Sequence, residues 1–293
     1  GHFVDVKIAG NQLIERLFAT EMPAPFLSVM IDDCVANGRD YNAGGARYNN
    51  TFNQAVGIGT ISDSLAAIRR LVYEEGELSL ADLVTALDAV FEDQEELRQR
   101  LVSRMPKYGN DDDSADDLMM RVFETAFKAI DGRPNGKGGA YRLEMLPTTS
   151  HVYFGSVCCA SADGRQSGRP LSEGISPVQG ADRNGPTAVL RSAGKMDHVK
   201  TGGTLLNMKF TPSLLADESG IDRVADLVRT YFKMDGHHVQ FNVVSADTLR
   251  TAQADPDAHR ALIVRVAGYS DYFCDLSIEL QEEIIERTEH ESF

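Results

Sequence analysis

At 293 residues, with 42% hydrophobic and 25% charged side chains, the chain has the composition of a soluble globular protein able to bury a substantial core. A formal net charge of −15 opposes phosphate backbones and anionic lipid, which argues against nucleic acid or a membrane surface as partner. No apolar run approaches a bilayer span, no signal peptide opens the sequence, and the four cysteines lack the CxxC spacing of a zinc site or disulfide framework, so a reduced, cytoplasmic protein is expected.

The sequence opens Gly1-His2-Phe3 without a methionine, as if at a tag scar or fragment boundary, and runs at once into a regular element. Apolar positions at Ile8, Leu13, Leu17 and Phe18 predict a helix over 3–20 that stops before Pro23 and Pro25. Phe26 to Ile31 reads as a second buried segment. The Gly- and Asn-rich stretch 37–50 reads as a shaped loop. Thr60-x-x-Asp63 suggests a capping box for a helix over 62–75, with Leu65, Ile68, Leu71 and Val72 inward; Ser79-x-x-Asp82 opens another that continues through Leu83, Leu87, Val90 and Phe91. Asp111, Asp112, Asp113, Asp116 and Asp117 precede a helix containing Leu118, Val122, Phe123 and Phe127. They lack the spacing of a calcium loop and suit a helix N-terminus.

Beyond Gly132 the pattern becomes mixed. The second half of Leu143–Gly155 is β-branched and aromatic and predicts a strand that begins at Pro147. Further strands are predicted at 188–191, 205–210 and 239–244. Helices at 219–233 and 246–253 alternate with the last of these, the ordering of an α/β chain. A helix over 277–288 with Leu280, Ile284 and Ile285 inward closes the chain. No linker or repeat divides the sequence, and the expected organisation is a main part over 1–250 and a C-terminal subdomain over 251–293.

Several clusters could carry chemistry. His237-His238 alternate faces if in a strand, which disfavours one shared metal ion, and no metal site is expected. Cys158-Cys159 are expected as free thiols. Lys195-Met196-Asp197-His198 fits either an acid–base group or a polar loop. Thr148, Thr149 and Ser150 are consecutive hydroxyls among apolar residues. Buried, they would need partners, and a polar small molecule would serve; Thr148 and Ser150 are the candidate substrate-binding residues.

The stretch around which the chain is organised is Leu262–Ser270. Five apolar residues and an arginine read as a short buried strand that ends in Gly268-Tyr269. A lone glycine is ordinarily a turn residue. A glycine α-carbon, however, can also hold an unpaired electron: removing one hydrogen leaves a planar centre between an amide nitrogen and a carbonyl, which a Cβ would crowd.

Arg265-Val266-Ala267-Gly268-Tyr269-Ser270 resembles the radical-bearing hexapeptide of the glycyl radical enzymes, the pyruvate formate-lyase-like family, and lies near the C-terminus as it does there. Gly44-Gly45-Ala46-Arg47-Tyr48-Asn49 and Gly59-Thr60-Ile61-Ser62-Asp63-Ser64-Leu65 resemble the region after the cysteine loop in the eliminase branch. Met22–Ser28, Lys107–Asp113, Met145–Thr149, Asn184–Ala188, Lys195–His198 and Met234–His238 extend the likeness over the whole chain.

The resemblance implies an α/β fold, part of a ten-stranded barrel with a C-terminal glycyl radical subdomain, in an anaerobic organism. Gly268 would be the catalytic radical site, its radical installed by a radical S-adenosylmethionine activating enzyme with a [4Fe-4S] cluster. The chain itself would bind no cofactor. The reaction implied is elimination of a C–O bond from a small hydroxylated molecule such as 4-hydroxyproline. C–S, C–N or decarboxylating lyase chemistry on the same scaffold, or a non-catalytic module that replaces a damaged radical domain, are the alternatives. The family's catalytic cysteine and the glutamate behind it match nothing here: Cys34 sits in Asp33-Cys34-Val35-Ala36, and Cys158, Cys159 and Cys274 are equally out of context. A partner chain with the cysteine loop and remaining barrel strands is therefore expected, in an arrangement such as a dimer of heterodimers.

Overall fold

Twenty residues, His2–Glu21, form the first helix, which ends where Pro23 and Pro25 forbid its continuation. The computed structural model describes residues 1–146 and 148–293, and the chain divides into two compact units. The first comprises Gly1–Gln54, Glu124–Glu144 and Lys200–Gly202. Its strands β1 (Thr51–Gln54) and β2 (Tyr141–Glu144) pair in parallel, Thr51 opposite Tyr141. Glu15 ties the first helix to them: it accepts from Thr51 Oγ1 and, at 2.7 Å, from the Gly136 amide.

The run 26–31 is not the buried segment predicted. Pro25 starts a one-turn helix, Pro25–Ser28, and Phe26 (79% exposed), Val29 and Met30 face outward. The polar side is the one held inside, because the Ser28 hydroxyl donates to Asp40 at 2.7 Å and the Ala24 amide to the same carboxylate at 2.9 Å. After Asn37, which ends the one-turn helix Cys34–Asn37, the loop over 37–50 is irregular apart from the short turn Tyr41–Ala43, as its composition demands.

The second unit comprises Ala55–Phe123, Met145–Val199 and Gly203–Phe293. Its helix Ile58–Ile68 begins after Gly57, earlier than predicted, so Thr60 is no N-cap. Instead Thr60 exchanges two hydrogen bonds with Ser172, at 2.9 and 3.1 Å, and Asp63 is buried beneath the Tyr108 amide at 2.7 Å. Ser79 does cap Leu80–Asp88, accepting from the Asp82 amide. That helix stops before Val90 and Phe91, which take left-handed backbone angles, yet Phe91 still reaches the core of Leu71, Leu83, Leu101 and Met105.

Three parallel strands order as β4–β3–β7: β3 is Leu206–Phe210, β4 Val239–Val243 and β7 Glu289–His290. Asn207 is opposite Gln240 and Lys209 opposite Asn242, so with period-two alternation one face carries Asn207, Lys209, Gln240 and Asn242. The other carries Leu206, Met208, Phe210, Val239, Phe241 and Val243. All four polar side chains are buried. An antiparallel hairpin, β5 (Ile263–Arg265) and β6 (Ser270–Tyr272), is separate from this sheet among the described residues. The helices Glu218–Lys233, Ala246–Ala254 and Ile278–Glu286 agree with the predicted segments, and the last buries Leu280, Ile284 and Ile285 as expected.

Two predicted strands are helices. Residues 150–157 form Ser150–Val157, whose buried members His151 and Gly155 lie four apart, a helical spacing that the β-branched composition outweighed in the sequence. Residues 188–191 lie in Pro186–Gly194, which begins on Pro186 just after Gly185, the usual place for a proline in a first turn. Pro147, the predicted start of the first of these strands, lies outside the described residues.

Candidate functional site

The hairpin β5–β6 turns through Val266-Ala267-Gly268-Tyr269, closed by a hydrogen bond from the Val266 amide to the Tyr269 carbonyl at 2.9 Å. Val266 and Ala267 are buried. They join Val264, Leu205, Leu249, Phe273, Ile284 and others in one apolar cluster, which anchors the turn's first half. Gly268 behaves differently. It is exposed, takes φ +81°, and a Cβ built on it would meet no atom within 4 Å. Glycine is therefore required here for its backbone angle and not for space inside this chain.

Two side chains of β4 hold the turn's backbone. The Gly268 amide donates to Gln240 Oε1 at 3.1 Å, and Gln240 Nε2 reaches the Val266 carbonyl at 3.4 Å. Asn242 makes the same pair of contacts one step along: the Arg265 amide donates to its Oδ1 and its Nδ2 donates to the Arg265 carbonyl, both at 2.8 Å. Across the hairpin, Arg265 Nη1 donates to Ser270 Oγ at 3.1 Å. Behind Gln240 lies Asn207, whose Oδ1 accepts from Gln240 Nε2 and whose Nδ2 donates to buried Glu173. Burial pushes the Glu173 carboxyl upward while Arg287 and His151 pull it down, with the upward effect prevailing.

None of Glu173, Asn207, Gln240 and Asn242 was singled out in the sequence. A signal existed in the alternation of Gln240 and Asn242 with Phe241 and Val243, a strand with polar residues on one side. Their destination was invisible without the fold.

The segment with Thr148 and Ser150 is flanked by Leu146 and Val152, both packed on the apolar cluster that contains Val266 and Ala267. The hydroxyls do not line a strand as expected. Thr148 is exposed with φ +53°, Thr149 precedes the helix, and Ser150 is its first residue and half-buried.

Lys195 is held by three carboxylates, Asp113 and Asp116 at 2.7 Å and Asp111 at 3.1 Å. His198 is buried between Thr204 Oγ1 (2.9 Å) and the Ala193 carbonyl (3.0 Å). This arrangement is that of a structural polar cluster, and it also accounts for three of the five aspartates. His237 is exposed and His238 half-buried, and among the described residues no three His, Cys, Asp or Glu side chains gather as metal ligands. All four cysteines are free thiols. Cys34 is buried, and Cys274, the cysteine nearest Gly268 in sequence, points its sulfur at the His259 carbonyl, 3.5 Å away. Among the described residues no helix is long and apolar enough to cross a membrane.

Two family profiles match the chain: pyruvate formate lyase-like over residues 1–155 and glycine radical over residues 171–274. The chain belongs to the pyruvate formate lyase-like glycyl radical enzymes. Among its relatives, trans-4-hydroxy-L-proline dehydratase of Clostridioides difficile is 52% identical over 288 residues, 98% of this chain and 36% of the relative. The crystal structure of hydroxyproline dehydratase from the same organism, with trans-4-hydroxy-L-proline bound, superposes with a TM-score of 0.96 at 52% identity, over 99% of this chain and 37% of that one. The glycerol-bound B12-independent glycerol dehydratase of Clostridium butyricum superposes with a TM-score of 0.95 at 39% identity, over 99% and 37%. The chain thus spans little more than a third of the relatives it matches, and its fold is part of their barrel.

Proposed function

We propose that this chain carries the radical of a glycyl radical dehydratase, stored on Gly268 and passed to a thiol supplied by polypeptide outside these 293 residues. The observation that carries the reading is the Gly268 α-carbon, open at the tip of a turn whose preceding residues are buried. Activation removes one hydrogen atom from that carbon, and the amide and carbonyl on either side share the unpaired electron. The carbon then takes a hydrogen atom from a cysteine, one S–H bond breaking as one C–H forms. The thiyl so formed takes a hydrogen atom from the carbon beside the substrate's C–OH. Hydroxide leaves as water with a proton from an acid, the substrate gives up a proton that restores that acid, and the thiol returns its hydrogen atom to the product radical, which regenerates the thiyl.

The likeness to hydroxyproline dehydratase favours a hydroxylated small molecule such as 4-hydroxyproline as substrate, with Thr148 and Ser150 at the wall of its pocket. A radical S-adenosylmethionine enzyme is the activator that membership of the family suggests, since removing a hydrogen atom from the Gly268 α-carbon needs a one-electron oxidant. Residues 251–293, which contain the hairpin and the last helix, would form the radical subdomain. Phe3, Val6, Leu13 and Leu17 of the first helix, all exposed, supply an apolar surface that further polypeptide carrying the cysteine loop would cover.

Anoxic co-expression with an activating enzyme and the cysteine-bearing polypeptide tests the reading. Electron paramagnetic resonance should show a doublet that Gly268→Ala abolishes, and oxygen should cleave the activated chain at Gly268. A doublet that survives Gly268→Ala, or no signal in any pairing, overturns it.

A further inference from the structure

The apolar cluster around Val266 explains why the hairpin stays in place, but it leaves the orientation of the Gly268 peptide unexplained. Three side chains determine that orientation, and they form a directional chain. Glu173 is buried and accepts from both Ser176 Oγ and Asn207 Nδ2. The same oxygen, Glu173 Oε1, accepts both hydrogens, so Asn207 must turn its NH₂ toward it. Its carbonyl oxygen then faces Gln240, which must offer NH₂ in turn. That leaves Gln240 Oε1 as the group that meets the Gly268 amide, at 3.1 Å. The Asn207 main chain is itself fixed, its amide donating to Ser176 Oγ at 2.9 Å.

We infer that Glu173, Asn207 and Gln240 form a positioning relay for Gly268: the carboxylate sets the sense of two side-chain amides, and the last one accepts from the amide nitrogen bonded to the radical carbon. The inference rests on the radical reading for its purpose, though not for its geometry. All three residues act through Gly268, and none is placed against substrate. Two effects follow. The acceptor keeps the Gly268 peptide plane, and so the open side of its α-carbon, in one orientation. It also touches one of the two groups over which the unpaired electron spreads, so the hydrogen bond alters how much spin the nitrogen holds. A flipped Gln240 would present NH₂ to the Gly268 N–H, two donors face to face, and the turn would lose its hold there.

Amide hydrogen exchange resolved at Gly268, measured on the unactivated protein in its complete assembly, tests the relay without any radical. Gln240→Met keeps the side chain's length and loses its acceptor; the Gly268 amide should exchange at least tenfold faster, while the Val266 amide, bonded within the turn, should not change. Gln240→Glu keeps an acceptor and should leave Gly268 slow. In the activated enzyme, Gln240→Met should also alter the hyperfine coupling of the exchangeable amide proton in the radical's spectrum, which a loss of packing alone would not do. Unchanged exchange at Gly268 in Gln240→Met overturns the relay. Should that variant fail to fold, Glu173→Met decides, because it removes the acceptor that sets the sense of both amides: faster exchange at Gly268 supports the relay and wild-type exchange overturns it. Absence of a radical in the wild type would sink the proposed function and leave the exchange result standing.

Discussion

Arg287 Nη2 lies 2.7 Å from Glu283 Oε2, one helical turn apart, with both side chains buried. Burial pushes the Glu283 carboxyl up, but Arg287 and His151 outweigh it and hold it well below the usual carboxylate range. His151 Nε2 is 3.4 Å away and Gln179 donates to the same carboxylate at 3.0 Å, so the pair joins the last helix to two earlier segments. Removing one partner of a buried ion pair strands the other charge. Glu283→Leu should lower stability by about 3 kcal/mol, read as a fall in the urea midpoint. A change under ~1 kcal/mol would mean that Glu173 takes over as the partner of Arg287.

Asp63 ties stability to pH. Burial pushes its carboxyl up to about 8, with Lys107 and the Tyr108 amide pulling the other way. An acid whose folded pKa exceeds its unfolded value of ~3.9 favours the fold most below that value and loses its contribution as pH rises toward 8. Asp63→Asn keeps an acceptor for the Tyr108 amide and does not titrate. Between pH 5 and 8 the wild type should lose stability relative to the variant, by up to roughly 1.4 kcal/mol per pH unit. Parallel curves of melting temperature against pH would refute this.

Lys195 compensates Asp116, a buried carboxylate whose other partner is Ser192 Oγ at 2.9 Å. Lys195→Met should destabilise the fold by about 3 kcal/mol. At a temperature where the variant remains folded it should still yield the Gly268 radical. Loss of turnover with full stability would restore Lys195 as an acid–base candidate.

Two glycines with left-handed backbone angles should respond very differently to alanine. At Gly109 (φ +96°) a Cβ would collide with the Pro177 ring, whereas at Gly268 it would meet nothing in this chain. Gly268→Ala should cost only the backbone strain, about 1–2 kcal/mol, and Gly109→Ala clearly more. Thermal unfolding of the two variants side by side checks this, and it establishes whether a radical-free Gly268→Ala protein is a folded control.

The hexapeptide around Gly268 and the strands 206–210 and 239–243 were legible because each is a local pattern: a motif, or a short run with apolar residues at alternate positions. The last helix was legible for the same reason, through Leu280, Ile284 and Ile285. Residues 150–157 were misread because Val152, Tyr153 and Phe154 favour strands intrinsically, and tertiary packing of His151 and Gly155 decided otherwise. The relay was beyond reach for a different reason. Glu173 and Asn207 are 34 residues apart, and Asn207 and Gln240 another 33; the parallel register of β3 and β4 brings the last two together, and Glu173 reaches them from an irregular segment. Thr60 shows the same limit at short range: its sequence fits a cap, but the first turn formed earlier, at Ile58.

Lys209, 1% exposed, reaches from β3 to the end of the last helix, its Nζ donating to the Ile285 carbonyl at 2.7 Å, and the two residues after Thr288 then pair with β3. The chain's tail is therefore stitched into the sheet at a point beyond the helix. If Gly268 travels to meet an activator, a route that keeps this seam closed lets only the hairpin and its flanks travel, like a door leaf on a fixed post. Opening the seam as well would strip a buried ammonium of its carbonyl partners.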